Sequence, residues 1–141
     1  MDAGARRSWD RQTCRDAAGG GHLEVLRWAR EHDCPWDWST SHAAARSGHL
    51  AVLQWAWAHD CTLNEWTCAR AAAGGHLDVL RWAREHDCPW SWVTCADAAQ
   101  GGHLSVLQWA RAQGCAWSKA YCEIVSRDHP ETLAWVRQQP E

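Results

Sequence analysis

Ala71-Ala72-Ala73-Gly74-Gly75-His76-Leu77-Asp78-Val79-Leu80-Arg81-Trp82-Ala83 is the stretch that decides the fold, because it comes back along the chain. Gly-His-Leu-x-Val-Leu-x-Trp-Ala starts at Gly21, Gly48, Gly75 and Gly102, each 27 residues after the last, with nothing inserted or deleted. Self-similarity at a fixed period of roughly 20–50 residues is the mark of a stacked array, and it outranks any single-residue motif. The chain divides accordingly. Residues 1–12 are a lead-in and partial cap. Thr13–Ser39, Thr40–Trp66, Thr67–Val93 and Thr94–Ala120 are four full units. Residues 121–141 form a degenerate last unit, in which Asp128-His129-Pro130 stands where Gly-His-Leu stood.

Each unit reads as a helical hairpin. In the third, Cys68, Ala71 and Ala72 fall at i, i+3 and i+4 and give a short Ala-rich helix one apolar face. Thr67 is the expected N-cap. Gly74-Gly75 ends the helix, since glycine accepts the left-handed backbone of a helix stop. A second helix follows over about Leu77 to His86, with Asp78 in its first turn and Arg84 and His86 in its last, as the helix dipole favours. Leu77, Val79, Leu80 and Ala83 make a broad apolar arc with Trp82 at its edge. A linker, Cys88-Pro89-Trp90-Ser91-Trp92-Val93, then leads to the next unit. Small residues on the first helices and bulk on the second predict a stack that bends toward the first helices. In the last unit Pro130 falls at the first helical position, where it is tolerated, and added polar residues suit a unit that closes an open end.

The composition fits this frame. The 141 residues carry a net charge of −3, thirteen Trp, no Phe, eight Cys and nine His. A mild negative charge advertises no nucleic-acid surface. No apolar run is long enough for a membrane span, and residues 1–9 lack the apolar core of a signal peptide, so the reading is an intracellular protein, cytoplasmic or nuclear. Cys34, Cys61, Cys88 and Cys115 occupy one repeat position; Cys14, Cys68, Cys95 and Cys122 occupy another, with Ser41 in the second copy. Neighbouring copies lie about 10 Å apart, the spacing of packed helices, which is too far for a disulfide. Pairs across the seven-residue gap, such as Cys61 with Cys68, stay open. Otherwise these are buried structural thiols.

The Ala-Ala-x-x-Gly-His-Leu-x-Val-Leu core, with Cys88-Pro89-Trp90 and Thr94 to Leu104, resembles the ankyrin repeat, in the compact 27-residue variant of large DNA viruses and of protists such as oomycetes and algae. The resemblance covers about residues 13–139. It implies an all-α fold, an ankyrin-like right-handed solenoid of stacked helical hairpins. The common ankyrin unit has about 33 residues, and the shortfall falls where that family projects a β-hairpin, so little or no β structure is expected. The Thr-Pro-Leu-His signature is missing, with Trp66-Thr67-Cys68-Ala69 in its place. The resemblance also implies protein recognition on the concave side, through first helices and linkers. The partner would be another protein, a host protein if the source is viral.

Repetition separates scaffold from surface. Positions identical in every unit are what the stack requires, and positions that differ are free to face a partner. Arg15, Asp16, His42, Arg46, Arg70, Asp97 and Gln100 are such non-recurring residues on the first helices and are candidate partner contacts. Trp38, Trp66 and Trp92 shift register from linker to linker, so exposed copies are expected among them, and exposed Trp is a frequent interface anchor. Trp36, Trp90 and Trp117 keep register and are expected to pack between units; Trp28, Trp55, Trp82 and Trp109 are expected in the interior. The His of each Gly-His turn is expected to bond nearby backbone. His-Asp-Cys at 32–34, 59–61 and 86–88 lacks the convergence a zinc site needs. Every candidate nucleophile and base recurs with the repeat, so no catalytic constellation is singled out. The expected function is a non-catalytic protein-binding module without metal or cofactor, which presents a rigid concave surface and binds neither nucleic acid nor membrane. The alternative is a structural array that self-associates end to end through an uncapped terminal unit.

Overall fold

The computed structural model describes residues 10–141. Expectations for the lead-in fall almost wholly on residues 1–9, outside the described residues. Ten helices follow in five hairpins: α1 (Arg11–Gly19) with α2 (Leu23–Glu31), α3 (Trp38–Ser47) with α4 (Leu50–Ala58), α5 (Glu65–Gly74) with α6 (Leu77–Glu85), α7 (Trp92–Gln100) with α8 (Leu104–Ala112), and α9 (Lys119–Val125) with α10 (Pro130–Gln138). The described residues contain no strand. None of the helices among them is long and apolar enough to cross a membrane.

Each first helix packs directly on the first helix of the next hairpin and on its own second helix, while second helices of neighbouring hairpins stand further apart. The first helices can approach because they present Cys14, Ala17 and Ala18, then Ala44 and Ala45, Cys68, Ala71 and Ala72, and Cys95, Ala98 and Ala99, all buried. The second helices contribute Leu26, Leu53, Leu80 and Leu107, none with any solvent exposure, and Val52, Val79 and Val106. Val25, the copy at the N-terminal end of the stack, is 50% exposed.

Two details depart from expectation. The first helices begin two residues before the threonine, with the N-cap three before it. Asp10, Asp37, Asn64, Ser91 and Ser118 are the N-caps, and Thr13 and Thr67 sit at the third helical position. There each completes a reciprocal capping box: the Asp10 side chain accepts from Thr13 N–H and the Thr13 hydroxyl from Asp10 N–H, with Asn64 and Thr67 doing the same. The second helices close on a left-handed residue, a stop not anticipated from the sequence. Asp33, Asp60 and Asp87 take positive φ of 61–71°, and the following Cys N–H bonds back to the carbonyl five residues earlier, as Cys88 does to Ala83. Gly114 holds that place in the fourth unit. Aspartate is strained there by its Cβ and glycine is not. Asp87→Gly is therefore expected to raise stability by about 0.5–1 kcal/mol, read as a higher denaturant midpoint with an unchanged slope.

The turn glycines Gly21, Gly48, Gly75 and Gly102 all take positive φ. A Cβ on each would strike the His ring of the next hairpin: His49, His76, His103 and His129 respectively. Two of these histidines bond backbone, and they do so across hairpins. His103 Nε2 lies 3.1 Å from Ala73 O, and His129 Nε2 3.1 Å from Gln100 O.

All eight cysteines are buried and unpaired by disulfide. The loop thiols donate to the N-cap carbonyl of their own hairpin, as Cys88 Sγ does to Asn64 O at 3.2 Å, and so tie the end of each unit to its start. The closest thiols are twenty positions apart rather than seven: Cys14 Sγ lies 3.3 Å from Cys34 Sγ. Burial, and then the contact with Cys34, pushes the Cys14 thiol up to about 12. Ser41 replaces the first-helix thiol in the second unit and donates to Thr62 O and Trp38 O.

Trp28, Trp55, Trp82 and Trp109 are not interior. Trp28 is 47% exposed and the other three are half-buried. Trp82 sits 200° round the helix from Leu80 at about 100° per residue, and second helices do not close over that edge. The linker tryptophans instead pack on this row edge to face, Trp36 on Trp55 and Trp90 on Trp109. Arg30, Arg84 and Arg111 lie over Trp36, Trp90 and Trp117 and also donate to the carbonyls of Cys34, Cys88 and Cys115. In the second unit arginine and tryptophan disappear together: Trp57 and Leu63 take their places, and Trp57 packs on Trp82 and His86.

Candidate partner-binding groove

The first helices α1, α3, α5 and α7 present a row of outward side chains on the face away from the second helices. Two adjoining hollows of about 390 and 300 Å³ run along it. Arg15, Trp38, Ser39, His42, Ala43, Arg46 and Arg70 line the first. Arg46, Arg70, Ala73, Asp97, Gln100 and Gly101 line the second. Arg46 and Arg70 belong to both, so the two form one groove. Seven of the ten residues expected at a partner surface converge there: Arg15, Trp38, His42, Arg46, Arg70, Asp97 and Gln100. Asp16 stands beside the groove in a 3.7 Å ion pair with Arg15. Trp66 and Trp92 lie at the N-terminal ends of α5 and α7 and line neither hollow.

The three register-shifting tryptophans are all exposed: Trp38 at 54%, Trp66 at 41% and Trp92 at 48%. They sit in the first turn of their helices, where the side chain clears the helix packed beneath. Trp92 rests edge to face against Tyr121. Trp38 lies against His42, with ring centroids 4.9 Å apart.

His42 differs from the expectation of a free surface position. It is only 7% exposed. Its Nε2 lies 2.7 Å from Asn64 Oδ1, the same oxygen that caps α5 through Trp66 N–H. At the equivalent places Ala69 and Ala96 are also buried, whereas the longer Arg15 reaches solvent. His42 thus supports Trp38 from below and braces the cap of the next hairpin. Burial holds its ring below the ordinary 6.5 of imidazole, partly offset by the bond to Asn64. The unfolded chain therefore takes up this proton first. His42 contributes full stability above about pH 6.5 and loses it as pH falls below that value. His42→Gln is expected to flatten the decline of stability between about pH 6.5 and 5, measured by urea unfolding at each pH.

The groove is cationic along its middle. Arg46 and Arg70 form no ion pair among the described residues, although Asp97 shares their hollow. Burial holds the Asp97 carboxyl above its ordinary range, and Arg70 and Arg46 pull it back only in part. Ala43 and Ala73 form part of the lining where most equivalent positions carry larger groups (Gly19 excepted), and this opens the hollow. Their variation between units was visible, but smallness carries no chemical signal of its own. Trp57 was also missed: it is exposed on the opposite side, and its only sequence sign is the loss of Arg and Trp from their rows in one unit. Among the described residues no group of three or more His, Cys, Asp or Glu is placed to hold a metal ion. Against family models and against curated proteins, the chain finds no match.

Proposed function

We propose that the chain is an ankyrin-like solenoid acting as a non-catalytic protein-binding module, with the groove on its first helices as the contact face. The observation that carries this reading is convergence. The stack requires residues that recur, and most of the first-helix residues that do not recur come together in one groove. Closer packing of first helices than of second helices supports a bend toward the groove side, which makes that face concave. Two of its side chains are held before a partner arrives. Trp38 rests on His42, and Asn64 fixes His42, so little ordering cost remains on association. An exposed tryptophan beside unpaired arginines is the composition of an interface centre.

The test is affinity capture with the full chain from lysate of the source cell, beside two variants. One carries Trp38→Ala, Arg46→Ala and Arg70→Ala. The other carries Arg27→Ala and Arg81→Ala on the second helices. A protein retained by the wild type and the second variant but lost from the first supports the reading. Equal retention by all three would sink it. Light scattering over a concentration series addresses the self-assembling alternative, which requires mass to rise with concentration.

A further inference from the structure

The groove's chemistry narrows what it accepts. Charge is divided unevenly over the molecule. The five first helices carry five cations against four carboxylates, whereas the rest of residues 10–141 carries seven cations against twelve. Of the cations in the groove, Arg15 is occupied by Asp16. Arg46 and Arg70 have no carboxylate within ion-pair reach among the described residues. Guanidinium groups favour carboxylates, which they can hold through two parallel hydrogen bonds. Order along the stack adds direction. Trp38 offers an indole face at one end, Arg46 and Arg70 offer positive charge in the middle, and Asp97 with Gln100 offer acceptors at the other.

We propose that the groove takes an extended acidic segment of a partner protein. The proposal rests on the reading of this face as the binding surface and names the chemistry of its ligand. An aromatic or aliphatic side chain lies on Trp38. One or two Asp or Glu side chains meet Arg46 and Arg70. A hydrogen-bond donor, from backbone, Ser or Lys, meets Asp97 and Gln100. From Arg15 to Gln100 the groove crosses three inter-hairpin steps of about 10 Å each, so an extended segment of about nine residues fills it. A nucleic-acid strand fits less well. Beyond the two arginines its phosphates would meet Asp97 and the acidic remainder of the surface.

The experiment is selection of random peptides of about nine residues on the immobilised full chain. Enriched peptides are then titrated by fluorescence anisotropy against wild type, Arg46→Glu/Arg70→Glu and Trp38→Ala, with helix content checked by circular dichroism. Arg81→Glu on a second helix is the control for added negative charge, and a labelled oligothymidylate of similar length is titrated in parallel. The expected result is peptides rich in Asp and Glu with an aromatic or aliphatic residue to one side. Affinity should fall about tenfold or more in the charge-reversed groove variant, fall with Trp38→Ala and hold with Arg81→Glu. Neutral or basic peptides that still depend on Trp38 would overturn the acidic ligand and leave the groove as the binding face. Peptides indifferent to every groove variant, or no enrichment at all, would overturn both. Oligothymidylate binding that competes with the peptides and depends on Arg46 and Arg70 would overturn the choice of a protein ligand.

Discussion

Gly75→Ala is expected to cost about 3–4 kcal/mol, a large share of the total for a domain of this size. Two independent penalties meet at this residue. Its φ of +75° lies where a Cβ crowds the following carbonyl. That Cβ would also stand 2.5 Å from Nδ1 of His103, far inside contact distance. The ring cannot simply swing away, because its Nε2 is bonded to Ala73 O on the hairpin before its own. Relief would break that bond or push two hairpins apart. Gly114→Ala isolates the first penalty, since Gly114 has a φ of +86° and open space around its Cβ direction. It should cost only about 1 kcal/mol. Urea unfolding of both variants measures the difference. Equal losses would mean that the histidine row does not set the distance between hairpins.

The second large effect is expected at Leu80. It is fully buried and belongs to the continuous core. Truncation to alanine removes methyl and methylene groups from a well-packed site and costs about 3–5 kcal/mol. Leu26 is equally buried, but its hairpin has a described neighbour on one side only. In a stack whose units touch only their neighbours, stability is close to a sum of local terms. Leu80→Ala should therefore weaken the whole array, while Leu26→Ala should loosen α1 and α2 and leave the rest intact. Hydrogen exchange resolved by segment distinguishes the outcomes. Uniform loss of protection in both variants would show that the array melts as one cooperative block.

The hairpins, their order and the glycine stops were legible because strict periodicity leaves few alternatives. A position that must be Leu in every unit must face the same environment in every unit. The groove was legible for the complementary reason, at Arg15, Trp38, Arg46, Arg70, Asp97 and Gln100. Periodicity failed where recurrence has a second cause. The Trp82 row recurs at a half-open edge, where Trp55, Trp82 and Trp109 pack on a neighbouring unit without leaving solvent. The Gly-His histidines were read as local, but the sequence cannot say whether a partner carbonyl belongs to the same hairpin or the previous one. His42 misled in the opposite direction. It varies between units and is still buried, because its partner Asn64 varies with it. Thr67 looked like a cap since capping boxes contain threonine at either end; Asn64, three residues earlier, takes the first role.

The second unit breaks the pattern of arginine and linker tryptophan, and this sets where the molecule can flex. At the joints between α2 and α4 and between α6 and α8, a guanidinium bonded to a carbonyl and laid over an indole fixes the orientation of the linker. At the joint between α4 and α6 that pair is absent, and Trp57 packs against Trp82 and His86 in its stead. Ring contacts of this kind resist separation but tolerate sliding, so rotation there meets less resistance than elsewhere. Arg46 and Arg70 stand on opposite sides of that joint. A small pivot would widen or narrow the gap between the two guanidinium groups without unfolding any helix.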